Sequence, residues 1–217
     1  MLYLFARAIR RAQLPILYTQ GYNPRPKLWL LLPKPLGVGC LDDLLLVELR
    51  DDCTSEQFAD RLDPSLPRIK LHGSFKLGPA RSPQPRAAAY SLELSRQDAA
   101  EVAPKIPSLL ETHELPVNRL AKRNGQSRQV NIRPYLSSMQ LDVTELCFTL
   151  AYSPAGSAKP AEVLALLDLD NPSNRAKLVR TETIYAGLPT SRPDIKTTSR
   201  KTLGRAYHCF SSNSPRP

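Results

Sequence analysis

Three arginines and one loop carry most of the binding chemistry that this sequence offers. Arg7, Arg10 and Arg11 stand at helical spacing, and Gln20-Gly21-Tyr22-Asn23-Pro24-Arg25-Pro26-Lys27 follows soon after, with no acidic residue before Asp42. Gly21 permits close backbone approach, the prolines hold a loop open at little ordering cost, Tyr22 offers a stacking face, and Arg25 and Lys27 offer donors to phosphate. Gln20 and Asn23 add neutral donors between them. Basic and aromatic residues interleaved in this way suit single-stranded nucleic acid; they equally suit a stiff turn whose charges are simply solvated. A second cluster, Arg119, Lys122, Arg123 and Arg128, surrounds Asn124-Gly125 and reads as a basic hairpin tip able to grip a phosphate backbone, or as a wet turn. Arg133 follows on the same segment with Asn131 and Tyr135. A third group, Arg192, Lys196, Arg200, Lys201, Arg205 and Arg216, lies in the last thirty residues or so, where counter-ion release would add non-specific affinity.

The whole chain leans the same way. Its 217 residues carry a formal charge of +10, and fields of this sign attract polyanions such as nucleic acid or an anionic surface. Nothing comparable points to a reaction. No GxSxG, HExxH, P-loop or Gly-rich dinucleotide fingerprint is present. Asp42-Asp43 and Asp51-Asp52 bracket a strand-like run, and these carboxylates are expected to end the strand in water rather than to hold a metal. Cys40, Cys53, Cys147 and Cys209 form no CxxC pair, and His72, His113 and His208 are scattered, so no zinc site, iron-sulfur cluster or other cofactor is expected. Free thiols fit a cytoplasmic protein. In Met1–Ile9 the arginines follow the apolar residues, unlike a signal peptide, and no run approaches the roughly 18 apolar residues that span a bilayer. No membrane partner is expected.

The elements that must position these residues follow from periodicity. Leu2, Phe5, Ala8, Ile9 and Ala12 recur as in an amphipathic helix that Pro15 stops. Strand-like runs at Ile16–Thr19 and Leu28–Leu32 flank the Gly21–Pro26 loop, the second apolar enough to be covered on both faces. Leu44–Leu49 reads as a strand, Ser55–Leu62 as a helix capped by Thr54, and Ile69–Leu77 as a strand. This order, helix, strand, strand, helix, strand, is a split βαβ unit without its opening strand. Such a unit leaves an unpaired edge, so a strand from upstream of Met1 or from a partner is expected to complete it. Beyond a Pro-rich connection the order recurs: a strand at Ala89–Leu94, a helix over Gln97–Glu111 interrupted by Pro104 and Pro107, strands at Pro116–Leu120, Gln129–Arg133, Met139–Val143 and Leu146–Tyr152, a helix at Pro160–Leu167 and a strand at Leu178–Tyr185. The expectation is an α+β chain of tandem ferredoxin-like sandwiches: a first half over 1–78 with a truncated start, a linker over 79–86, a second half over 87–186 and a disordered basic tail over 187–217.

The blocks Arg7-Ala8-Ile9-Arg10-Arg11-Ala12-Gln13-Leu14-Pro15, Tyr18-Thr19-Gln20-Gly21-Tyr22-Asn23-Pro24-Arg25-Pro26-Lys27 and Pro35-Leu36-Gly37-Val38 together resemble the radical SAM-linked protein family. Val130-Asn131-Ile132-Arg133-Pro134-Tyr135, Lys159-Pro160-Ala161-Glu162-Val163-Leu164 and Leu178-Val179-Arg180-Thr181 fall in the family's order, so the resemblance runs over about residues 2 to 186. It implies a companion domain for a radical S-adenosylmethionine enzyme, with an RNA-related substrate such as tRNA or rRNA. The cluster-binding CxxxCxxC motif would belong to that enzyme partner and is absent from this chain. Charge and resemblance together lead to a non-catalytic accessory domain binding RNA and a radical SAM enzyme through Arg7, Arg10, Arg11, Gln20, Tyr22, Asn23, Arg25, Lys27, Arg119, Lys122, Arg123, Arg128 and Arg133. Two rivals stand beside it: an RNA-processing or RNA-modifying enzyme in its own right, and a protein-interaction adaptor whose basic face meets an acidic partner.

Overall fold

The computed structural model describes residues 2–66, 69–77, 82–120 and 125–188, together with the backbone of 205–212. Its elements are, in chain order, α1 (Leu2–Arg11), β1 (Leu28–Leu30), β2 (Gly39–Val47), α2 (Ser55–Leu62), β3 (Lys70–Leu77), β4 (Gln84–Glu93), α3 (Arg96–Val102), α4 (Lys105–Glu111), β5 (Pro116–Leu120), β6 (Ser127–Asn131), β7 (Leu136–Asp142), β8 (Glu145–Ser153), β9 (Gly156–Ser157), α5 (Pro160–Leu166), α6 (Pro172–Lys177), β10 (Val179–Ala186) and β11 (Arg205–Ser212). This is a mixed α+β chain. It divides into two compact units, the first of 1–34, 40–84 and 185–217, the second of 35–39 and 85–184. No helix among the described residues is long and apolar enough to cross a membrane.

Unit 1 is built on β2. Leu45 and Val47 enter a core with Phe5, Ala8 and Ile9 of α1, Phe58 and Leu62 of α2, and Leu28 of β1. Leu44 and Leu46, alternating to the other face as strand geometry requires, pack with Leu77 and Tyr185. The helices form where local chemistry says they should. Thr54 accepts from the Gln57 N–H, and Gln57 accepts in return from the Thr54 N–H, a reciprocal box that satisfies two donors at the start of α2. At the end of α1 the Leu14 N–H reaches the Ile9 carbonyl and the Gln13 N–H reaches that of Arg10, with Gln13 left-handed at φ 51. That is the Schellman closure, here made without glycine.

The strand order in unit 1 is β3-β11-β2, with β1 on β2. Three expectations change here. The Ile16–Thr19 run makes only isolated bridges, Ile16 to Leu49 and Tyr18 to Pro26. Of the Leu28–Leu32 run only Leu28–Leu30 forms a strand, and it is not covered on both faces: Leu28 is buried while Trp29, pointing the other way, stays 42% exposed. The 187–217 stretch, expected as a disordered tail, supplies β11, which takes the place expected of an opening strand. Residues 189–204 and 213–217 lie outside the described residues.

Unit 2 has the order β10-β4-β8-β7, with β9 on β8 and a separate β5-β6 hairpin. Tyr90 and Phe148, directly opposite on β4 and β8, stack with centroids 5.3 Å apart. The helical run expected over 97–111 breaks into α3 and α4 at Pro104, which stands at the N-cap of α4. The change of unit falls between Gln84 and Pro85, and β4 already begins at Gln84, inside the 79–86 stretch expected as a linker. The helix α6 lacks the apolar period that a sequence reading needs; Asn171 caps it by accepting from the Asn174 N–H at 2.8 Å.

Core and cap in unit 1 differ in weight. Phe58→Ala should destabilise the unit by about 3–5 kcal/mol and Thr54→Ala by about 1 kcal/mol. Denaturation in urea followed by fluorescence of Trp29, the single tryptophan, reads both.

Candidate functional site

The 19–25 loop is pinned at its base. The Thr19 N–H donates to the Arg25 carbonyl at 2.8 Å and the Arg25 N–H to Thr19 Oγ1 at 2.9 Å, while Lys27 N–H reaches the Leu17 carbonyl at 2.8 Å. Gln20 to Pro24 therefore stand clear of the body of unit 1, every one of them exposed. Tyr22 is 100% exposed at the tip. Gly21 has φ 127, a region that a side chain resists, so the loop's shape depends on it. Arg25 is exposed and, among the described residues, has no carboxylate partner. Lys27 differs: its Nζ lies 3.0 Å from Glu48 Oε2, in a pair whose side chains are both mostly buried.

On α1, Arg7, Arg10 and Arg11 are all exposed. They are not equivalent. The Arg11 Nη2 donates to the Ser65 carbonyl at 2.8 Å, and the Arg7 guanidinium sits 5.8 Å from the Tyr3 ring centroid, a cation–π contact. Arg10 has no ion pair among the described residues. Leu2, Tyr3 and Leu4 are exposed on the first turn of the same helix, at 44%, 76% and 42%.

The candidates of unit 2 have mostly structural partners. Arg119 grips Glu162 with both prongs, Nε to Oε1 and Nη2 to Oε2 at 2.7 Å each, and Nη2 also reaches the Ser157 carbonyl at 2.7 Å. Its guanidinium is held more basic by that hydrogen bond to Glu162. Arg128, opposite Arg119 in the hairpin register, is exposed. Lys122 and Arg123 lie outside the described residues. Arg133 donates to three backbone carbonyls, Thr112 at 3.1 Å, Leu136 at 2.9 Å and Leu110 at 2.6 Å, closing the end of α4. Asn131 Oδ1 takes the Leu115 and Arg133 N–H groups, and the Tyr135 hydroxyl lies where a Cβ on Gly156 would be, at 2.8 Å. The Val130–Tyr135 block is thus a stitch between α4, the hairpin and β7, and all three nitrogens of the Arg133 guanidinium already donate within it.

Two arrangements escaped the sequence reading. Arg61 donates to the Ala12 and Gln13 carbonyls and caps α1 from across unit 1, a role with no local signal because 48 residues or more separate the partners. In unit 2, Arg180 is fully buried and hydrogen-bonds Tyr90, whose hydroxyl lies 3.0 Å from that of Tyr152. Burial first, then Tyr152, pushes the Tyr90 phenol far up, and Arg180 only partly offsets this. Asp42 and Asp43, expected in water, are each 5% exposed within β2. Among the described residues no group of three or more His, Cys, Asp or Glu side chains is gathered as a metal would need. Cys53 is buried and its thiol is pushed up by that burial, the opposite of an activated nucleophile.

Burial raises the Glu162 carboxyl, but the Arg119 guanidinium and the Lys159 N–H outweigh it and hold the pKa below the usual glutamate value. A carboxyl depressed in the folded state adds stability above its unfolded pKa and loses it as pH falls through the folded one. Glu162→Gln should therefore be less stable than the native chain at neutral pH, with the gap narrowing in thermal melts taken below the usual glutamate range. Arg133→Ala should destabilise by about 2–4 kcal/mol in the same melts, since three carbonyls lose their donor.

No curated protein and no solved structure matches this chain. One family model does, over residues 1–162, which takes in the loop, the α1 arginines, the Arg119–Glu162 pair and the Asn131–Tyr135 stitch. The chain belongs to the family described as "Uncharacterized protein conserved in bacteria (DUF2344)".

Proposed function

We propose that this chain is a non-catalytic recognition module that binds single-stranded RNA through unit 1, at the Gln20–Arg25 loop and the exposed side of α1. The observation that carries the reading is the contrast among the basic residues. Among the described residues, Arg10 and Arg25 stand exposed without a carboxylate, in the same unit as a fully exposed Tyr22, whereas Lys27, Arg119 and Arg133 are held by Glu48, Glu162 and backbone carbonyls. Free guanidinium groups and an unstacked ring are what a phosphate backbone and a splayed base require. Paired ones have already exchanged hydration for a protein partner and gain less from a phosphate. Arg128 is a secondary contact on the hairpin of unit 2.

Two features of the wider reading belong to the same proposal. The strand orders β3-β11-β2-β1 and β10-β4-β8-β7 support two ferredoxin-like sandwiches, a fold whose loops and helix faces present ligands on a rigid sheet. The resemblance of the early blocks to radical SAM-linked proteins makes a radical SAM enzyme the protein partner, with this chain holding the RNA on which that enzyme works. A second reading has its own support: Leu2, Tyr3 and Leu4 form an exposed apolar turn beside the arginines, which suits a protein adaptor.

Fluorescence anisotropy with a single-stranded RNA oligonucleotide tests the choice. Affinity should fall steeply between about 50 and 200 mM salt. Arg25→Ala should weaken binding and lower the salt slope by about 1, and Tyr22→Ala should cost about 1–3 kcal/mol, while Lys27→Ala costs less than Arg25→Ala. Equal losses for Lys27→Ala and Arg25→Ala would contradict the loop assignment. Unchanged RNA affinity in every variant, with loss of a protein partner in Tyr3→Ala, would favour the adaptor.

A further inference from the structure

Strand alternation carries the basic row of the loop onto the sheet of unit 1. From Arg25 the backbone runs extended into β1: Thr19 and Arg25 bond each other, the Lys27 N–H reaches the Leu17 carbonyl, and Tyr18 and Pro26 form a bridge between them. Alternate side chains of such a segment share a face. Leu28 points into the core with Leu45 and Val47, so Arg25, Lys27 and Trp29 lie on the other side, the one turned away from α1 and α2. Register agrees. Trp29 stands opposite Leu46 of β2, and the Glu48 N–H donates to the Lys27 carbonyl, which puts the Glu48 carboxylate beside Lys27 on that same face. Leu44 and Leu46 are buried there with Leu77 and Tyr185, whereas Trp29 remains exposed on β1.

We propose that Trp29 is a second stacking platform, which holds an unpaired base of the bound strand; the inference rests on the RNA reading of unit 1. Charge decides what sits there. Arg25 has no carboxylate partner among the described residues and takes a phosphate. Lys27 and Glu48 form a pair without net charge, and a phosphate placed beyond it would approach the Glu48 carboxylate. A base carries no charge and gains from an indole face. Trp29 is highly exposed for a residue type that is mostly buried, and it continues a row already assigned to the strand. Four residues of extended backbone, about 13 Å, separate it from Arg25, and Tyr22 lies on the other side of Arg25 in the chain, so the two rings meet different nucleotides. Bases within a duplex are not free to stack on a side chain, and the two platforms together select single-stranded RNA.

Because Trp29 is the single tryptophan, its emission reports on this position alone. The full chain is titrated at low salt with a single-stranded RNA of about ten nucleotides, a length within the span of such sites. Anisotropy of a labelled strand reads binding, and tryptophan emission with the unlabelled strand reads stacking. Emission should be quenched as the RNA saturates the chain, and inorganic polyphosphate, which has the charge and no bases, should leave it unchanged. Trp29→Leu keeps an apolar side chain and should weaken RNA binding at least about fivefold, with polyphosphate binding unaltered. Trp29→Phe, which keeps a ring, should lose less. RNA that binds without quenching, equal quenching by polyphosphate, native RNA affinity in Trp29→Leu, or equal losses in Trp29→Leu and Trp29→Phe would each overturn the stacking role and leave the RNA reading of the loop standing. No anisotropy change with the native chain would overturn both.

Discussion

Six consecutive residues of β2, Asp42 to Val47, are buried, and unit 1 is organised by that constraint. A strand covered on both faces needs apolar partners on each side. Leu45 and Val47 find them in α1 and α2, and Leu44 and Leu46 in Leu77 and Tyr185. It also needs its backbone groups paired along both edges, since no water reaches them. β1 pairs along one edge at Leu45–Val47, and β11 runs along the other. The loop ahead of β1 and the outer side of α1 are carried by elements that pack on this strand.

The arginines divide along the same line. Those whose side chains lie near orphaned carbonyls or a carboxylate are drawn in: Arg61 on the end of α1, Arg133 on the end of α4, Arg119 on Glu162. Each helix end leaves carbonyls that a guanidinium satisfies well, and a bidentate pair is the strongest form such a contact takes. What remains outward is a smaller set, led by Arg10 and Arg25. The chain's net charge of +10 thus overstates its usable basic surface, because several positive groups are structural fittings.

Much of the fold is legible in local pattern. Thr54 announces α2, Pro104 the break between α3 and α4, and the alternation at 89–94 and 146–152 the paired strands β4 and β8, because each signal acts over a few residues. What is not legible depends on distance along the chain. Nothing near Arg133 shows that Leu110 and Thr112 lie beside it, and nothing near Arg119 points 43 residues on to Glu162. Asp42 and Asp43 look like wet strand ends because charge suggests water; the burial of β2 overrides that. The 205–212 segment has little local strand signal and becomes a strand through two long-range ladders. Of the candidate site, the loop and its exposure can be read from residue types, while the separation of free from engaged cations cannot.

The central claim is that the free basic groups of unit 1, and not the engaged ones, form the recognition surface. The most direct measurement is an amide and side-chain NMR titration of the full chain with a single-stranded RNA oligonucleotide at low salt. The account predicts shifts at the Arg10 and Arg25 guanidinium groups and at the Tyr22 ring, with Arg119 and Arg133 unmoved. Shifts centred on Arg119 and Arg133, or no shift at Arg25 and Tyr22 when RNA is bound, would contradict it.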